Sequence, residues 1–200
     1  STGLEASTYR YIDSLFDLNY KKYKALNEIL SKEIPDIKTI KKGDKITNSD
    51  NFLEEIPKTI LNLDNSYLFI QGPPGTGKTF QVANAIIELI KKGKKIAVSG
   101  NSHKVIHNLL DKIEKIANEK NFSFKGLKKC SVDKEETVYR GEFITSSTNE
   151  KDFINALDSD DIKLFAGTKF HLCSNYYDRA VDYLFIDEAG QISLADVISI

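Results

Sequence analysis

Apolar residues fall along this chain in two different rhythms. Up to residue 33 they recur at helical spacing. Ile12, Leu15, Phe16, Tyr23, Leu26, Ile29 and Leu30 line one side, which predicts a helix over 5–33 that Pro35 stops. Residues 36–51 are polar, with Gly43 and several Lys and Asp, and read as loop or a short hairpin at a soft boundary. From residue 67 short apolar runs alternate with helical periods. Tyr67-Leu68-Phe69-Ile70 predicts a buried strand, and residues 78–92 a helix with Val82, Ile86, Ile87 and Ile90 inward and Gly93 as its terminator. Lys95–Ser99 predicts a second buried strand. Residues 103–119 predict a helix carrying Val105, Ile106, Leu109, Leu110, Ile113 and Ile116 on one face, with Asn101 or Ser102 as its cap. Ile162–Gly167 and Tyr183–Asp187 predict a third and a fourth strand. Residues 120–160 mix strand-like pieces, such as Glu142-Phe143-Ile144, with polar loop, and the last residues resemble the start of a helix.

Strand, helix, strand, helix implies an α/β fold with a mainly parallel sheet covered by helices on both faces, here with an N-terminal helical appendage. A length of 200 residues and 40% apolar content suit one such domain with a real core. The expected division is 1–50 as N-terminal helical segment and linker, and 51–200 as the α/β domain. The chain lacks an initiator Met and stops at an incipient helix, so a fragment of a larger protein is expected. Net charge is −1, which excludes a chain that is basic throughout. Lys91, Lys92, Lys94 and Lys95 form one local cluster and Lys125, Lys128 and Lys129 another, to be read as solvated surface or as a nucleic-acid patch. Cys130 and Cys173 form no C-x-x-C pair, and no apolar run approaches membrane-spanning length. The expectation is an intracellular, cytoplasmic chain with reduced thiols and no membrane partner.

The chemistry starts at Gly72-Pro73-Pro74-Gly75-Thr76-Gly77-Lys78-Thr79, a complete G-x-x-x-x-G-K-[ST] loop between a predicted strand and a predicted helix. A triphosphate brings several negative charges that need many donors at close range. Glycines at 72, 75 and 77 let successive N–H groups turn inward, and the helix that opens at Lys78 adds its positive end. Pro73 and Pro74 remove no needed donor and stiffen the entry. Lys78 reaches the β- and γ-phosphates, and the Thr79 hydroxyl serves Mg²⁺. ATP with Mg²⁺ is the expected ligand pair. Asp187 and Glu188 end the fourth strand, where ligands gather in open parallel sheets. Asp187 would hold Mg²⁺, mostly through water, and Glu188 would orient and deprotonate the attacking water. His103 and His107 stand one helical turn apart and could share a metal, but no third ligand is evident.

Taken in order, the motifs resemble the first RecA-like domain of superfamily 1B helicases, the group of the nonsense-mediated-decay helicase and the replication nuclease-helicase. The resemblance covers roughly residues 56–200. Gln71–Thr79 resembles motif I. Ser99-Gly100-Asn101-Ser102-His103-Lys104, followed by Asn108-Leu109-Leu110, resembles motif Ia. Ala166-Gly167-Thr168 resembles the small motif after the third strand, and Asp187-Glu188-Ala189-Gly190-Gln191 resembles motif II. The form of motif Ia points to the prokaryotic branch fused to RecB-like nuclease segments.

The resemblance implies a RecA-like P-loop fold and an ATP-hydrolysing motor that moves on single-stranded nucleic acid, DNA favoured over RNA, in the 5′→3′ direction. It implies that Lys78, Asp187, Glu188 and Gln191 carry catalysis, with Gln191 sensing the γ-phosphate. It implies that Asn101, Ser102, His103 and Thr168 lie along the strand, and that a second RecA-like domain of the same chain supplies an arginine finger, so this piece alone is expected to be weakly active or inactive. No oligomer is indicated. The Gln motif that reads adenine in the family is not found, since Asn51-Phe52-Leu53 stands in its region. AAA+ ring ATPases share the phosphate-loop string and remain an alternative, although the long interval from Lys78 to Asp187 and the Asp-Glu-Ala-Gly-Gln string argue against them. A nucleotide-gated binding module without turnover also remains open.

Overall fold

A parallel pair of strands needs a crossover between its members, and the helical periods supply those crossovers. The computed structural model describes residues 3–47, 51–73 and 75–200. Its strands are β1 (Ile96–Gly100), β2 (Gly126–Lys129), β3 (Ile144–Ser147), β4 (Leu164–Ala166) and β5 (Tyr183–Asp187). Among the described residues they form one sheet in the order β3-β2-β4-β1-β5, parallel at every pairing. Its helices are α1 (Gly3–Phe16), α2 (Lys24–Leu30), α3 (Phe52–Leu61), α4 (Lys78–Lys91), α5 (His103–Glu119), α6 (Glu150–Asp158), α7 (Lys169–Leu172) and α8 (Leu194–Ser199).

Side chains alternate across the sheet, so its two faces bury different cores. Ile96, Val98, Leu164 and Ala166 pack with α3, α4 and α5, whereas Ala97, Leu127 and Phe165 pack with α6 and α7. Ile86, Ile87, Leu89, Ile106, Leu109, Leu110 and Ile113 are fully buried between α4, α5 and the sheet. Each contributes about 1.5–3 kcal/mol by burial, so this layer dominates the fold. The chain has the mixed α/β architecture expected: an all-parallel sheet flanked by helices, as in RecA-like P-loop domains, with N-terminal helices docked on it. Arg10 donates to the Cys173 carbonyl at 3.1 Å and the Tyr23 hydroxyl donates to Asp178 at 2.9 Å, which ties the N-terminal helices to the far end of the chain.

Several expectations are corrected. The single helix over 5–33 is two helices, because a Schellman stop follows α1. Leu18 takes the left-handed conformation (φ 53°), and the N–H groups of Leu18 and Asn19 bond back to Leu15 and Ser14 at 3.1 and 2.9 Å. The usual glycine signal is absent there, so the stop is invisible in sequence. Residues 67–70 form no regular element and pair with no strand among the described residues. Leu68 and Ile70 pack on the core while Phe69 is exposed, making a half-buried segment rather than a buried strand. The region 120–160 holds β2, β3 and α6. Glu114 of α5 organises it by accepting the N–H groups of Glu142, Phe143 and Ile144 at 2.9, 3.0 and 3.0 Å. A Cβ on Gly141 would lie 2.1 Å from the Glu114 carboxylate, so a side chain there would have to displace it from these N–H groups.

The lysine clusters also change meaning. Strand alternation turns Lys128 inward and buries it completely, so Lys125, Lys128 and Lys129 are not one surface patch. Lys125 pairs with Asp161 at 3.0 Å, and Lys129 donates to the Thr148 carbonyl at 2.6 Å. In the first cluster, Lys91 pairs with Glu88 at 3.1 Å and Lys95 donates to the Leu157 carbonyl at 2.6 Å.

Helix α3 forms despite an internal proline. Pro57 has no N–H for the Leu53 carbonyl one turn back. The buried Asn84 of α4 supplies the missing donor, its Nδ2 lying 2.8 Å from that carbonyl. Its Oδ1 in turn accepts from Lys120 at 2.6 Å. Asn84→Ala is therefore expected to lower the unfolding free energy by about 1–3 kcal/mol in urea denaturation. In a Pro57→Ala background the loss should shrink, because residue 57 then offers its own N–H; equal losses in both backgrounds would uncouple the two residues.

Candidate nucleotide and nucleic-acid site

The phosphate loop joins the unpaired segment 67–71 to α4. Gly75 and Gly77 take φ values of +80° and +78°, with open space where a Cβ would stand. It is the left-handed backbone, not crowding, that requires glycine at both. Gly77 is the N-cap residue of α4, and the fourteen-residue helix begins at Lys78 with no acidic side chain in its first turn. Its unpaired N–H groups and positive end therefore face the loop. The Thr76 hydroxyl donates to the Pro73 carbonyl at 2.9 Å, and the Lys78 amine donates to the carbonyls of Gly72 and Pro73 at 2.7 and 2.8 Å. Lys78 is thus folded back onto oxygen acceptors of its own loop, a role phosphate oxygens can take over. Thr79, next in the helix, is half-buried, and Pro74 lies outside the described residues.

Register fixes the other half of the site. In the parallel pair β1 and β5, Gly100 stands opposite Asp187, and in β1 and β4 Val98 stands opposite Ala166. The carboxyl ends of all three strands therefore open on one edge. The structure brings Asn101, Ser102, Thr168, Asp187, Glu188 and Gln191 together there. Asp187 is half-buried, and its carboxyl is held above the usual carboxylate range. Burial is the main cause. The neighbouring Glu188 charge pushes the same way, against the Glu188 N–H (3.0 Å from Asp187 Oδ1) and the positive charge of Lys78. Its ionised form is short of positive charge, which suits it to hold a divalent cation. Among the described residues no three His, Cys, Asp or Glu side chains are placed to hold a metal by themselves. Thr79 and Asp187 would hold Mg²⁺ together with water and phosphate oxygens, its usual habit.

Glu188 leaves β5 in the left-handed region (φ 54°), an uncommon conformation for glutamate. That turn lets the chain reverse at once. The Gln191 N–H bonds the Glu188 carbonyl at 2.8 Å, and the Gln191 side chain donates to the Glu188 carboxylate at 3.2 Å. The same side chain accepts a hydrogen bond from Asn101. Sequence offers no signal for that last contact, which joins residues 90 positions apart.

Ser102 is the N-cap of α5, its hydroxyl accepting from Val105 N–H at 3.3 Å. Thr168 sits at the N-cap position of α7, but its hydroxyl does not cap. Gly167 before it is demanded by crowding, since a Cβ there would come within 2.6 Å of the His171 ring. His103 is placed differently from the other three. Its ring is half-buried, 6.3 Å from the His107 ring, with Nδ1 3.0 Å from the Lys128 amine. Burial, with the Lys128 charge second, holds His103 down at about 4, and burial lowers Lys128 to about 8. Near neutrality Lys128 therefore donates and His103 accepts as the neutral ring. Lys128 reads as surface in the sequence, whereas β2 lies in a sheet covered on both faces and buries it on the α5 side.

A family model described as AAA domain (AAA_11) matches residues 47–159, more than half of the chain. Among curated proteins, the DNA replication ATP-dependent helicase/nuclease JHS1 of Arabidopsis thaliana is 30% identical over 134 residues, 64% of this chain and 9% of that protein. The DNA replication ATP-dependent helicase/nuclease DNA2 of Saccharomyces cerevisiae is 27% identical over 130 residues, 64% of this chain and 8% of that protein. The chain thus spans less than a tenth of the length of these relatives. No helix among the described residues is long and apolar enough to cross a membrane. Sheet topology, phosphate loop and family match agree: the chain belongs to this AAA-domain family, in the form of a superfamily 1B-like helicase first domain.

Proposed function

We propose that this chain is the ATP-binding and hydrolysing motor domain of a helicase that moves along single-stranded nucleic acid, DNA rather than RNA. Residues 51–200 are the motor domain, the first of two, and residues 1–50 are a helical segment and linker leading into it. The observation that carries the reading is the hydrogen-bonded run from Asn101 through Gln191 to Glu188 on the sheet edge that also holds Asp187, set there by its register opposite Gly100.

In this reading the loop Gly72–Thr79 cradles the triphosphate through its N–H groups and the start of α4. Lys78 leaves the carbonyls of Gly72 and Pro73 for the β- and γ-phosphates. Thr79 and Asp187 hold Mg²⁺, which supplies neutralisation of phosphate charge. Glu188 takes a proton from the attacking water as its oxygen bonds to the γ-phosphorus and the bond to ADP breaks. Gln191, bonded to Glu188, senses the γ-phosphate and relays it to the strand track. Asn101, Ser102 and Thr168 receive the sugar-phosphate backbone at the openings of α5 and α7, without reading sequence. His103 belongs to this track as the first residue of α5, with its ring turned inward onto Lys128. A second RecA-like domain of the same protein closes the cleft and lends an arginine, so turnover by this chain alone is low.

The deciding experiment is ATP hydrolysis by the full-length protein with single-stranded DNA, with RNA and with neither. Strong stimulation by DNA is expected; little stimulation together with ring assembly would favour the AAA+ reading instead. Lys78→Ala should weaken ATP binding roughly 10- to 100-fold in a fluorescent-nucleotide titration, the scale of one charged phosphate contact. Glu188→Gln should leave that binding intact and slow hydrolysis by roughly 100- to 10,000-fold; normal turnover would remove Glu188 as the base. Thr168→Ala is the cleaner probe of the track, since Ser102→Ala also loses a helix cap. It should reduce strand-stimulated hydrolysis more than the strand-free rate, and equal loss in both would take Thr168 off the track.

A further inference from the structure

We infer that Lys128 is a positioning residue of the nucleic-acid track: from inside the fold it fixes the His103 ring as the tautomer that donates from Nε2, and so makes His103 a phosphate donor at the opening of α5. The inference rests on the motor-domain reading above and adds a buried charge to its strand site. Lys128 is fully buried on β2, and its amine has two partners, the Thr137 carbonyl and His103 Nδ1 at 3.0 Å. An ammonium only donates, so Nδ1 accepts, and the proton of the neutral ring lies on Nε2. His103 is half-buried and opens the seventeen-residue helix α5, next to its Ser102 cap. Among the described residues, His107 Nε2 is sealed from solvent without a partner, and His103 Nε2 is not.

The surroundings of Lys128 leave its charge unanswered. Helix α5 faces it with His103, His107 and Asp111, and β2 itself with Cys130. The stretch after β2 adds Lys134, Glu136 and Tyr139, while the flanking strands β3 and β4 carry no charged residue. Among the described residues no carboxylate bonds the amine. A buried cation without an anion is costly, and salt screens it little. An imidazole that accepts from an ammonium at one nitrogen donates more strongly at the other. A strand phosphate at Nε2 is the charged acceptor this arrangement lacks. Lys128 thus reaches the strand through a ring, without leaving the core. Burial lowers its amine to about 8, so the charge is present at neutrality and is lost as pH rises through that value. His103, held at about 4, stays neutral throughout.

The test is the affinity of the full-length protein for a fluorescent single-stranded oligodeoxynucleotide, read by anisotropy from pH 6.5 to 9 at fixed salt. Wild type is compared with Lys128→Met, which keeps length and loses charge, with His103→Phe, and with the double variant. At pH 7 Lys128→Met should bind about fivefold more weakly, the surplus of a charge-assisted hydrogen bond over a neutral one. The double variant should bind no more weakly than His103→Phe, because Lys128 acts only through that ring. Wild-type affinity should fall through about pH 8, and both single variants should lack that step. Additive losses in the double variant, or the wild-type step retained in Lys128→Met, overturn the inference and leave the motor reading standing. A wild-type protein that does not bind the strand overturns both. Should Lys128→Met fold poorly, His103→Phe decides alone, since it leaves Lys128 in place and must still lose the step.

Discussion

The parallel pairing of β1 with β5 is the constraint on which the site depends. Setting Gly100 beside Asp187 brings two segments far apart in sequence to one edge, in one register. A slip of one residue would turn Ile96 and Val98 out of the α4–α5 core and Ala97 into it, exchanging large apolar side chains for a small one. The core therefore holds the register, and the register holds the chemistry. Polar residues follow the strands at once, Asn101 and Ser102 after β1, Thr168 after β4 and Glu188 after β5, because there the chain leaves the buried sheet and its backbone groups need new partners.

What could be read from the sequence was what is encoded locally. The phosphate loop is legible because backbone conformation and charge are fixed there by consecutive residues, down to the left-handed Gly75 and Gly77. Helices α4 and α5 are legible from their period. The failures share a cause: each is settled by a residue distant in sequence. No expectation covers α3, where Pro57 removes a helix donor that Asn84, distant in sequence, replaces. Glu142-Phe143-Ile144 looks like a strand, but only Ile144 belongs to β3, and Glu114 collects the N–H groups of all three. Residues 67–70 have strand composition, but a strand exists only by pairing, and β5 is an edge of the sheet as described. Lys128 was misjudged for another reason. A run of lysines suggests surface, whereas a strand covered on both faces buries successive residues whatever their charge.

The phosphate loop and the acidic edge are complementary in what each lacks. Lys78 spends its charge on neutral carbonyls, and Asp187 holds its carboxyl in surroundings that disfavour ionisation. Each half is satisfied only by weak partners. A polyphosphate with a divalent cation supplies both deficits at once, as oxygens for the amine and positive charge for the carboxyl. The helix α4 adds its positive end without needing to move.

Two side-chain hydrogen-bonded runs cross this fold, and their settings differ in a way that bears on function. Leu53–Asn84–Lys120 is centred on a buried amide, with its acceptor a main-chain carbonyl deprived of its normal donor by Pro57. Breaking it strands a polar group away from water, at a cost of about 1–3 kcal/mol, so it suits a fixed joint. Asn101–Gln191–Glu188 lies in water, and every member can exchange its partner for solvent or for a ligand at little cost. A run of the second kind suits the mouth of a site, where side chains have to take new partners, as the first suits a joint between helices.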